Sequence, residues 1–119
     1  MKNKILQLLN EKNEIYLLDL FKIMPEIRGE YAIYMPIKAG YNPNVLWADK
    51  VSKEFIAVFN DLVVFEKKAD IKPVEFWSLL FDGKPIYSHI PFISQKRLNG
   101  KKTCWMPISL IKGENFSLH

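Results

Sequence analysis

Six cations fall in one stretch of the chain: Lys84, Lys96, Arg97, Lys101, Lys102 and Lys112, with no carboxylate between Asp82 and Glu114. Tyr87, His89, Phe92 and Trp105 are interleaved with them. Together such residues can bind a polyanion: cations neutralise backbone phosphates while flat rings stack on bases. Residues 1–82 sum to −1 and residues 83–119 to +5, so the net +4 comes from the C-terminal third. That asymmetry sets up a local positive field, for which phosphate is the commonest partner. The competing reading is a solvated basic hairpin kept for solubility. Rings such as Trp77, Phe92 and Trp105 also serve as core side chains more often than as stacking platforms.

Catalytic chemistry has fewer candidates. The histidines are His89 and His119, the latter at the end of the chain. His89 reads as a structural or surface residue, and Cys104, the single cysteine, as a buried inert thiol. One cysteine can form neither an internal disulfide nor a thiolate metal cage. No His/Cys/Asp/Glu cluster has metal-ligand spacing, and the five glycines are isolated, which excludes a phosphate-cradling glycine loop. The expectation is a protein that is not an enzyme and carries no cofactor.

The elements that must position these residues are legible in part. At 119 residues and 14.0 kDa the chain is one domain. Folding such a length hides roughly two thirds of the open chain's surface. With 49% hydrophobic and 25% charged residues, intrinsic disorder is excluded. The composition contains no membrane span or signal segment, and a cytoplasmic location is expected.

Residues 3–12 read as a helix, with Ile5, Leu6, Leu8 and Leu9 within an arc of about 160°. Residues 14–17 read as a short strand and 18–24 as a second helix, stopped by Pro25. Residues 30–37 alternate, with Tyr31, Ile33, Met35 and Ile37 on one side, and predict a strand. Residues 39–44 read as a loop. Residues 52–67 predict a third helix, with Ser52 as N-cap and an apolar face from Phe55 to Phe65. Residues 74–81 read as a strand turning at Asp82-Gly83 into a returning strand over 84–93. The competing reading of 73–81 is a helix, with Pro73 at its first position and Gly83 past its end. A second hairpin is expected at Asn99-Gly100, with Lys96 and Arg97 on one arm and Lys101 and Lys102 on the other.

The order helix, short strand, helix, long helix, hairpin resembles a winged helix-turn-helix domain. Ile5–Leu9, Glu14–Leu17, Leu18–Met24 and Ser52–Lys67 carry the resemblance, with Val74–Ile93 as the wing. Two features depart from it: residues 25–51 are far longer than the turn between the second and third helices of that family, and Glu54 and Asp61 accompany Lys53 on the third helix. The resemblance implies an α+β fold with a winged-helix-like three-helix core over 3–93, a β-hairpin wing, and an extra C-terminal β segment over 94–119.

The function expected is non-catalytic nucleic-acid binding, to DNA rather than RNA and with a single strand as one candidate target. Lys84, Lys96, Arg97, Lys101 and Lys102 would contact phosphates, and Trp105 would stack. The alternative is a protein–protein adaptor or inhibitor, such as an accessory factor of a phage or mobile element, with the apolar segment Tyr31–Trp47 as its partner surface.

Overall fold

Short-range signals place the first three elements. Helix α1 (Lys2–Lys12) buries Ile5, Leu6 and Leu9. It ends at Asn13, whose φ of 64° is left-handed and whose N–H bonds the Leu9 carbonyl at 2.9 Å. Asparagine is one of the few residues that adopt this conformation cheaply. Strand β1 (Glu14–Tyr16) leads directly into helix α2 (Leu17–Ile23), which packs Leu17, Leu18, Leu20 and Phe21 inward. Pro25 closes α2 and opens a 3-10 turn over Pro25–Ile27. The computed structural model describes residues 1–35, 45–92 and 103–118.

Strand β2 (Arg28–Tyr34) pairs antiparallel with β3 (Val45–Val51). Its expected facing is half right: Ile33 and Met35 are buried, whereas Tyr31 is half exposed. The register shifts on both sides of Tyr31, which pairs with Val51; the second shift, between Tyr31 and Ala32, separates it from buried Ile33 and passes over Lys50, whose φ is 58°. Nothing in the sequence pattern predicted β3. Val45, Leu46, Trp47 and Ala48 are all buried, so the strand has no alternation to read. Strand β5 (Cys104–Trp105) adds to β3 in parallel, giving the sheet order β2-β3-β5.

Helix α3 (Lys53–Asn60) starts as expected, with Ser52 Oγ accepting from the Phe55 N–H at 3.1 Å. Its α geometry stops early. Residues Asp61–Phe65 widen into a π-helical turn, closed by the Glu66 N–H on the Asp61 carbonyl. The wider turn rotates the end of the helix, so Phe65, expected in the core, is 75% exposed. Trp47, Phe55 and Phe59 form a tilted ring cluster beneath α3, with centroids 6.1 Å apart for each pair through Phe59.

The C-terminal part corrects the expected wing. Strand β4 (Ala69–Pro73) pairs antiparallel with β6 (Ile108–Lys112), and β6 pairs on its other side with β1, giving the order β1-β6-β4. Residues Phe76–Phe81 form helix α4, where a strand was expected. Asp82-Gly83 is therefore a helix terminus: Gly83, at φ 64°, donates to the Leu80 carbonyl, and the Lys84 N–H bonds Leu79. No returning strand follows over 84–92; its one pairing is an isolated bridge between Phe92 and Trp105.

Strand β6 falls within the 94–119 segment expected as an extension of a core over 3–93, and it contributes to the core. Strand β6 is the middle strand of its sheet, and Ile108 and Leu110 are fully buried. At Gly113, just past β6, a Cβ would lie 2.3 Å from the Lys67 carbonyl oxygen, so only glycine permits the backbones to approach this closely. The mixed α+β class stands, with four helices and two three-stranded sheets among the described residues.

Candidate functional site

The predicted basic set is only partly within the described residues. Lys96, Arg97, Lys101 and Lys102, with the Asn99-Gly100 turn between them, lie outside them. Lys84 is described, and its ammonium bonds Asp19 on α2 at 2.8 Å. That bond and the Asp19 charge hold Lys84 above the ordinary lysine pKa. It serves as a tether between the chain after α4 and α2.

Trp105, expected as a stacking platform, is 0% exposed. Its ring meets Tyr87 edge-on at 5.0 Å, and the Trp105 backbone N–H donates to the Pro91 carbonyl at 2.8 Å. It is a core ring because β5 lies against β3, whose inner residues are all buried. The expected partner surface Tyr31–Trp47 falls within the described residues only at its two ends. Tyr31 and Tyr34 are exposed, residues 36–44 lie outside the described part, and Val45, Leu46 and Trp47 belong to the core.

Segment 84–92 has little regular structure and is held by side chains. Tyr16 donates its hydroxyl to the Pro85 carbonyl at 2.6 Å. The Tyr87 hydroxyl accepts from the Asp49 N–H at 2.7 Å and donates to the Asp49 carbonyl at 2.8 Å. His89 Nε2 lies 3.0 Å from Asp49 Oδ2. His89 is thus paired and half exposed, and it fastens the segment to β3.

Burial raises the pKa of both phenols: Tyr16 well above the ordinary tyrosine value and Tyr87 to about 12. A raised folded pKa means that the folded state holds its phenolic protons longer than the unfolded chain does. This contribution is complete below the ordinary tyrosine value near 10 and is lost as pH rises through the raised values. Phenolate absorbance should therefore show Tyr16 and Tyr87 titrating late and together with alkaline unfolding. Tyr16→Phe and Tyr87→Phe assign their share of the absorbance change, and titration of these two phenols near pH 10 with the fold intact would refute the tethering role.

Two further features were not expected. The first is the outer face of α4. Trp77 is 67% exposed, Leu80 45% and Phe81 87%. At i, i+3 and i+4 they share one face, while Leu79 on the opposite side is buried and anchors the helix. Phe76 stacks on Phe92, with centroids 3.9 Å apart and planes at 4°. Exposed Glu75 and Asp82 stand at the two ends of the helix.

The second is an open cleft of about 370 Å³ between α2, the β2–β3 pair and residues 85–87. Lys22, Arg28, Lys50 and Asp49 line it beside apolar Leu18, Phe21 and Ile86. The sequence hid this cleft, since its cations come from three separate elements. None of the three cations forms an ion pair with a described carboxylate; Arg28 instead lies over the Phe21 ring at 5.7 Å.

Among the described residues there is no group of three or more His, Cys, Asp or Glu side chains placed to hold a metal ion. Among them, no helix is long and apolar enough to cross a membrane. No protein-family model, curated protein or solved structure matches the chain.

Proposed function

We propose that this chain is a non-catalytic protein-interaction module of winged-helix type, docking through the outer face of α4. The observation that carries the reading is the exposure of Trp77, Leu80 and Phe81 on one helical face. If each large ring offers ~200 Å², the two aromatics alone leave on the order of 300 Å² of apolar surface in water. Isolated exposed apolar residues are ordinary, whereas the largest contiguous apolar patch on a monomer, commonly ~300–600 Å², is often its interaction site. Anchors at i, i+3 and i+4 are the pattern by which a helix enters an apolar groove.

Charge argues for a protein occupant. Glu75 and Asp82 flank the face and would repel a phosphate backbone. They suit a groove rimmed by lysine or arginine. Asp82 in particular sits at the negative end of the helix dipole, where a partner's cation would relieve it. The exposed side of α3 and its π turn carries Lys53, Glu54, Ala57, Asn60, Val64 and Phe65, a face of mixed sign that ends in apolar residues.

The winged-helix assignment is supported by the order α1, β1, α2, α3 and then the β4/β6 pair, with β1 completing that sheet. The β2–β3 pair is inserted between α2 and α3. Helix α4 lies in the crossing between the two arms, within the stretch that the resemblance assigns to the wing.

Photo-cross-linking tests the reading. A benzophenone amino acid at position 81, in cells expressing the full chain, should capture one defined protein. The same probe at exposed Lys12, on α1, should not. The purified partner should then bind with a Kd in the micromolar range or tighter. Capture of the chain by itself would make this face a self-association surface, and equal capture from both positions would sink the reading.

Nucleic-acid binding through the C-terminal cations is a second reading, favoured by the absence of any carboxylate between Asp82 and Glu114. Each phosphate contact contributes ~0.9 to the log–log salt slope on duplex DNA and ~0.7 on a single strand. Lys101→Ala with Lys102→Ala should therefore flatten the slope by roughly 1.5 and weaken binding to all sequences alike. A gel-shift salt series measures this. No binding at low salt, or a larger loss from Lys53→Ala than from the pair, removes the hairpin as the contact.

A further inference from the structure

We infer that the cleft between α2, the β2–β3 pair and residues 85–87 binds a nucleotide unit, a phosphate beside a flat ring. This goes beyond the docking role of α4 and does not depend on it.

The charge of the cleft asks for an anion. Lys22, Arg28 and Lys50 come from α2, β2 and β3, yet they line one cavity. The carboxylate among them, Asp49, already faces His89. Three cations at one cleft repel each other, and a bound anion relieves that repulsion. A phosphate monoester carries about −1.5 to −2 at neutral pH and offers three acceptor oxygens, one for each cation.

The backbone at Lys50 points the same way. Its φ of 58° is left-handed, a conformation that glycine or asparagine adopts more readily than lysine. A lysine held in that conformation beside a bulge is placed at a local cost that a bound anion would offset.

The remaining surface suits a ring. Leu18, Phe21 and Ile86 make an apolar floor beside the cations. The Arg28 guanidinium lies over Phe21, and a planar guanidinium is a good stacking surface for a base. At about 370 Å³ the cleft is at the small end of ligand sites, room for one ring system and its phosphate. The same chemistry is offered by a free nucleotide and by one nucleotide of a single strand.

The test is a titration of the full chain, read by calorimetry and NMR shifts, with AMP, adenosine, inorganic phosphate and a short oligo(dA). AMP should saturate, with adenosine and phosphate each at least about tenfold weaker because each keeps half of the recognition. Arg28→Gln with Lys50→Gln should weaken AMP about tenfold or more at an unchanged thermal midpoint. Lys22→Gln, on the exposed side of α2, should act in the same direction without touching the bulge. Oligo(dA) binding more tightly than AMP, with the same losses, identifies a strand as the source; AMP binding at least as tightly identifies a free nucleotide. Failure of both AMP and oligo(dA) to saturate by about 10 mM, or affinities unchanged in both sets of variants, overturns the inference.

Discussion

Trp105→Ala should unfold the domain or cost it ~3–5 kcal/mol, the range for removing a large buried ring. A domain of this size commonly has only ~5–15 kcal/mol in total, so the variant sits at the edge of folding. The ring is fully buried and touches Tyr87, while its backbone holds β5 to β3 and bonds Pro91. Its loss leaves a cavity where segment 87–92 meets the β2-β3-β5 sheet. Trp105→Phe keeps a ring there and should cost less. Urea denaturation of the three proteins decides it. An alanine variant with the parent's midpoint, but with lost binding to single-stranded DNA, would restore the stacking role and refute the core assignment.

Trp77→Ala with Phe81→Ala should weaken partner binding by about 100-fold or more, since aromatic anchors at an interface centre each contribute on the order of 2 kcal/mol. Stability should change by no more than ~0.5 kcal/mol, because neither side chain is part of the core. Solubility should rise as the apolar face shrinks. Leu79→Ala, two residues from Trp77, should do the opposite. It removes the buried anchor, lowers the melting temperature and releases α4. Calorimetry with the cross-linked partner, beside thermal melts, separates the two effects. If the double variant binds as the parent does, α4 is not the docking element. If it melts far below the parent, its rings are packed in solution and the docking argument fails with them.

How the α4 face escaped the sequence reading is a physical matter. The run Val74–Phe81 is short, apolar and aromatic, and such a run reads equally as a strand or as one and a half helical turns. Local chemistry did carry the helical alternative, through Pro73 before the run and Gly83 after it. The choice was made elsewhere. Ile108–Lys112 pairs with Ala69–Pro73, residues 76–81 join neither sheet among the described residues, and helix formation satisfies their backbone internally.

The same logic separates the remaining successes from the corrections. The apolar arc of Ile5–Leu9, Pro25 and Ser52 act within a few residues of their own position, so the first two helices and the start of the third were legible locally. Strand Val45–Val51 was not, because burial of four consecutive residues erases the alternation that marks a half-exposed strand. Strands β4 and β6 depend on partners about forty residues apart, a pairing that no local pattern encodes. Composition and position along the chain determined the class, the charge asymmetry and the first helices. Which cations meet at one cleft, which tryptophan is core and which stands in solvent were decided by long-range strand pairing, because burial depends on what a residue packs against and not on what it is.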